Sequence, residues 1–181
     1  GETADLRANR SLARLRLAEA EAARGADPRA EYRAAVADLE RAVELEPSAE
    51  VPRLNLGVAL RSLGRAEAAR GVDAAPILAR ACAELDEAVS RFPGSTAARV
   101  SRGNARLAAA RQDEESGRDP RPACERAAAD FADALSRTPD SAEARLGRAQ
   151  ALVLSTGWAF RLGIDARETL GAALAGCGEA V

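Results

Sequence analysis

The chain contains neither histidine nor lysine, so every side-chain cation it can bring to a chemical task is an arginine. Arg7, Arg10 and Arg14 recur as Arg99, Arg102 and Arg106, then in part as Arg145 and Arg148, with Arg53 alone in between. At i, i+3 and i+7 they share one helical face, and guanidinium forks suit carboxylates and phosphates. One chemistry for this row is a basic strip for an acidic peptide or a nucleic acid. A net charge of −2 and only five aromatic residues argue against nucleic acid, which selects basic surfaces and stacking side chains. Catalysis is a poorer fit still. The missing imidazole and amine close most routes to acid–base and covalent chemistry, and no cofactor or metal is expected. The carboxylate groups Glu84, Asp86, Glu87 and Asp113, Glu114, Glu115 alternate with arginines and read as solvated faces. Gly57, Gly64 and Gly71 are evenly spaced and form no phosphate loop. The three cysteines, Cys82, Cys124 and Cys177, replace apolar residues of neighbouring segments, as small buried hydrophobes do.

The elements that must carry these residues follow from a period. Pro47, Pro93 and Pro139 lie 46 residues apart (93−47 and 139−93), and Gly25, Gly71, Gly117 and Gly163 keep the same interval, each followed two residues later by an aspartate. Four copies fit without a gap, at about 1–47, 48–93, 94–139 and 140–181, which marks a repeat array. Before each proline the apolar residues fall at i, i+3, i+4, i+7, i+10 and i+11. They are Tyr32, Ala35, Val36, Leu39, Ala42 and Val43 in the first copy. Leu78, Ala81, Cys82, Leu85, Ala88 and Val89 follow, then Cys124, Ala127, Ala128, Phe131, Ala134 and Leu135. Leu170, Ala173, Leu174, Cys177, Ala180 and Val181 complete the set. This is the stripe of a helix, not a strand.

The stretches between, at 4–24, 50–70, 96–115 and 142–161, are rich in Ala, Leu, Arg and Glu and predict a first helix in each copy. Gly-x-Asp then has a mechanism: the glycine ends the first helix in a left-handed conformation, and Asp27, Asp73, Asp119 or Asp165 caps the second. The prolines close the second helix, with Ser48, Ser95, Asp140 or Ser141 available to cap the next one. Each copy is a helix hairpin, so eight helices are expected.

The run from Asn55 through Leu60 to Arg65 resembles the first-helix signature of the tetratricopeptide repeat family. Ala81, Leu85, Ala88 and Pro93 match its second helix, as do Ala35, Leu39, Ala42, Pro47 and Ala127, Phe131, Ala134, Pro139; Ala173, Cys177 and Ala180 continue the pattern. The unit here exceeds the usual one of about 34 residues, and Arg7, Arg53, Arg99 and Arg145 stand where a large aromatic is usual. The resemblance implies an all-α, right-handed superhelical solenoid of four antiparallel hairpins whose first helices line a concave groove. It also supplies a second reading of the arginines, with Arg10 facing Asp38 and Arg102 facing Asp130 as ion pairs inside a hairpin. Glu84 keeps the acid in the copy that has Leu56 instead of Arg.

With that facing, the groove is lined by Leu12 and Leu15; Val51, Leu54, Val58 and Arg61; Val100, Asn104 and Leu107; and Glu143, Leu146, Gln150 and Val153. The implied function is a protein-interaction scaffold that docks an extended or helical peptide, with Asn104 and Gln150 bonding its backbone. Inter-repeat core is the other use for the leucines and valines. The chain has no stretch long enough to span a membrane, and its unpaired cysteines fit a reducing compartment; the expectation is a cytoplasmic, bacterial protein. It opens on Gly1 instead of Met, and its last stripe runs to Val181 without a polar closing helix. The stretch is therefore expected to be part of a larger protein. The alternative function is self-association through that uncapped last helix, or spacing of other domains.

Overall fold

A computed structural model of the chain describes residues 2–165, 167 and 171. All regular structure among these residues is helical: α1 (Ala4–Ala23), α2 (Arg29–Leu45), α3 (Glu50–Ala68), α4 (Ala75–Arg91), α5 (Thr96–Glu115), α6 (Arg121–Arg137) and α7 (Ala142–Arg161). The expected fourth second helix, with Leu170, Ala173, Leu174, Cys177, Ala180 and Val181, lies outside the described residues.

The Gly-x-Asp corner forms as its chemistry dictates. Gly25, Gly71, Gly117 and Gly163 have φ of 75°, 73°, 71° and 70°, a region that costs a residue with a Cβ strain and glycine none. Two residues on, Asp27, Asp73, Asp119 and Asp165 each accept the backbone N–H two positions further along, at 3.2, 3.0, 3.0 and 3.1 Å. The aspartate thus precedes the cap residue and satisfies a donor that the helix leaves open. At the opposite turn the side chains of Thr3, Ser95 and Ser141 cap α1, α5 and α7. The second copy departs from expectation. Ser48 is one residue short of the cap position, which Ala49 occupies, and α3 begins without a side-chain cap.

The chain divides into two compact units, Gly1–Phe92 and Pro93–Val181. In the first, α1 packs on α2, α2 on α3 and α3 on α4, and α1 also touches α3; in the second, α5 packs on α6 and α6 on α7, with α5 against α7. Among the described residues the first unit thus holds the hairpins α1–α2 and α3–α4, and the second holds α5–α6 with α7 packed against both of its helices. Second helices bury the stripes read from the sequence: Ala35, Leu39, Ala42, Ala81, Leu85, Ala88, Ala127, Phe131 and Ala134 are all fully enclosed. In the second and third copies the large residue of the stripe sits against glycine, Leu85 on Gly57 and Phe131 on Gly103. Phe131 lies between two first helices, and a Cβ on Gly103 would come within 2.8 Å of its ring, with Gly147 equally crowded on the other side. Burying such a ring contributes roughly 3 kcal/mol, and only glycines allow the backbones this close.

Candidate functional site

The two full arginine triplets lie on α1 and α5, and their guanidiniums point into the hairpins, whereas Arg145 on α7 approaches the exposed Asp140 in the preceding turn. On Asp38, whose side chain is only 7% exposed, converge Arg10 (Nε 2.8 Å), Arg14 (Nε 3.2 Å) and, at 3.7 Å, Arg7. Glu2 closes the cluster from outside by pairing with Arg7 and Arg10, each at 2.8 Å. The Arg10 hydrogen bond holds the Asp38 carboxyl below its ordinary range, against the opposing effect of burial. In the second unit Arg102 and Arg106 meet Asp130 the same way, Arg102 Nε at 3.1 Å and Arg106 at 2.8 Å, while Arg99 pairs with Asp133 and donates to the Ser95 carbonyl. In the copy with Leu56 the acid is still used: Arg53 donates to Glu84 at 3.1 Å. Arg10 and Arg102 take the structural partners expected of them. Sequence reasoning missed Glu67 on α3, 4% exposed, which accepts from Arg29 (3.0 Å) and Arg33 on α2. Burial opposes its ionisation, yet those two bonds hold its carboxyl below the usual value.

The expected groove positions separate into three groups. Leu15, Val100 and Leu107 are buried; Val100 and Leu107 join Phe131, Ala144 and Ala151 in the core between α5 and α7. Leu54, Val58, Arg61 and Asn104 are half-buried, and Leu12, Val51, Glu143, Leu146, Gln150 and Val153 are exposed. Leu146 and Val153 occupy the register of Val100 and Leu107 one repeat on, so one sequence position is core on α5 and surface on α7. Their line continues through Gly157 to Phe160, giving an exposed face along α7 with Leu146, Val153 and Phe160 exposed by 60%, 57% and 81%. The two amides are engaged between first helices: Asn104 donates to Glu143 at 2.8 Å, and Gln150 accepts from Arg111 at 3.1 Å. The first unit exposes Leu12 and Val51 on α1 and α3.

A second concavity, not legible in the sequence, opens in the first unit where the α1–α2 corner meets the end of α3. It has a volume of about 340 Å³, walled by Gly25, Tyr32, Ala66 and Ala69, with Arg65 and Arg70 at its rim. Tyr32 is 8% exposed, and burial raises its phenol above its ordinary value. Asp27 is held far below the carboxylate range by Arg29, which it meets at 2.6 Å, so its approach to Arg70 is only 3.9 Å. Arg65 makes no ion pair among the described residues.

Cys124 is enclosed, and burial pushes its thiol up to about 12, the opposite of what a nucleophile requires. Cys82 is half-buried, and Cys177 lies outside the described residues. Among the described residues no cluster of acids and cysteines could hold a metal ion, and no helix is long and apolar enough to cross a membrane. Compared with protein-family models and with curated proteins, the chain matches none.

Proposed function

We propose that the chain is a protein-interaction module of the tetratricopeptide type that docks a peptide segment of a partner on its first-helix faces. The observation that carries this reading is the exposed face of α7. Three large apolar residues, Leu146, Val153 and Phe160, stand open on one line beside Glu143 and Gln150, the pattern of apolar anchors with polar neighbours that peptide grooves use. In this reading the hairpins continue as a right-handed superhelix with first helices on its concave side. Leu12, Val51 and the half-buried Leu54 and Val58 provide the corresponding surface in the first unit, whereas Leu15, Val100 and Leu107 serve as inter-repeat core. The inward-turned arginines favour a peptide over a nucleic acid. The absence of His and Lys and the inert thiol of Cys124 favour binding over catalysis.

Selection from a displayed peptide library against the intact chain tests the reading. Enriched peptides should carry apolar residues at regular spacing and lose at least about tenfold in affinity for Val153→Arg, as central anchors do, with the circular dichroism of the variant unchanged. Peptides that bind the variant as well as the unaltered chain, or no enrichment at all, would overturn it.

A further inference from the structure

The two units repeat their first corner at an interval of 92 residues (117−25), and they fill the space beside it differently. At the second corner Trp158 projects from α7, half-buried, with the guanidinium of Arg161 4.8 Å from the ring centroid. Arg161 is in turn bonded to Glu114 at the end of α5. An aromatic ring, a cation over its face and a carboxylate on that cation form a closed set. The counterparts in the first unit are Ala66 for Trp158, Ala69 for Arg161 and Ala22 for Glu114, so the ring, the cation and the carboxylate are all missing. What remains is a cavity with alanine walls, the flank of Tyr32 and two arginines at the rim. Its volume, about 340 Å³, lies at the small end of ligand sites, which start near about 300 Å³, and suits a single aromatic side chain.

We infer that this cavity receives an aromatic side chain of a partner peptide that carries a carboxylate next to it. The ring takes the place that Trp158 holds in the other unit, stacking against Tyr32 and the methyls of Ala66 and Ala69. The carboxylate meets Arg65, which no acid of the described chain neutralises, and Arg70, whose contact with Asp27 is long because Asp27 is committed to Arg29. The Ser62 hydroxyl in the same wall supplies a donor for the peptide backbone. This site is separate from the α7 face and stands or falls independently of it.

The probe is N-acetyl-tryptophan, an anion at neutral pH, titrated into the full isotope-labelled chain while backbone amide shifts are followed. The expected result is a saturable shift at Gly25, Arg65 and Arg70 with a millimolar Kd, and none at Gly117 or Gly157. Neutral N-acetyl-tryptophanamide should bind about fivefold more weakly, the size of one half-exposed ion pair. Ala66→Trp, which supplies the ring from within as the second unit does, should abolish the shift. Arg65→Glu, at an exposed position, should remove the preference for the anion and guards against Ala66→Trp failing to fold. Val153→Arg should change nothing. No saturable shift at tens of millimolar, a shift unaltered by Ala66→Trp in a folded protein, or equal binding of anion and amide would overturn the inference. So would shifts at these residues that depend on protein concentration alone, which would make a second copy the occupant.

Discussion

Asp38→Asn removes the charge around which Arg7, Arg10 and Arg14 gather, and keeps the shape. Removing one partner of a fully buried ion pair costs about 3–5 kcal/mol, whereas an exposed pair is worth about 0–1 kcal/mol. Here the acid is enclosed, at 7% exposure, but its arginines are 25–37% exposed and can turn to water or to Glu2. The expected loss is therefore intermediate, about 2 kcal/mol at pH 7, or roughly 10 °C in Tm for a unit of this size. The pH dependence gives the argument its sign. Because the folded carboxyl is held below its ordinary value, its contribution is fully present above the unfolded pKa of about 3.9 and is lost as pH falls through the lower folded value. Urea unfolding followed by circular dichroism should show unaltered chain and variant about 2 kcal/mol apart at pH 7, drawing together from about pH 4 downward. An equal difference at pH 7 and at pH 2, or a difference below about 0.5 kcal/mol at pH 7, would refute the electrostatic account.

Three further outcomes follow from the packing. Gly117→Ala should cost about 1 kcal/mol because its φ of 71° strains any L side chain, while Gly94→Ala, in open space at an ordinary φ, should be neutral in the same thermal melt. Phe131→Ala should cost about 3–5 kcal/mol, since Gly103 and Gly147 have no side chains to move into the vacated space; a loss below about 1 kcal/mol would mean that α5 and α7 collapse onto each other. Peptide mapping after brief iodoacetamide treatment at pH 8 should find Cys82 modified well before Cys124, whose thiol is enclosed and raised to about 12.

The hairpins and their corners were legible because they depend on neighbours in sequence. A left-handed glycine, an aspartate two residues on and a stripe at helical spacing each act within a few residues, and Arg10–Asp38 joins two helices of one hairpin. What could not be read depends on which element lies over a given face. Val100 and Leu146 are indistinguishable by register, yet α7 covers the first, while the second stands open on α7 itself. Glu67 looks like any helix-surface acid until α2 of the preceding hairpin brings Arg29 and Arg33 to it. The corner cavity is harder still. It exists because Ala66 and Ala22 are small, and a missing side chain leaves no motif.

The neighbour-only packing of the helices also bears on how the protein folds. Among the described residues of each unit, a helix touches only the next one and, for α1 and α5, the one after it, and the Arg161–Glu114 pair bridges just 47 residues. Loop-closure entropy therefore stays small, the contact order is low, and search times should resemble those of helical bundles more than those of sheet proteins. Within a unit, a formed hairpin offers the next helix its packing face. Local opening by the same logic should start where a helix end is least held. In the first unit the start of α3 is one such point, since it lacks the side-chain cap that Thr3 gives α1. Amide exchange there should be fast.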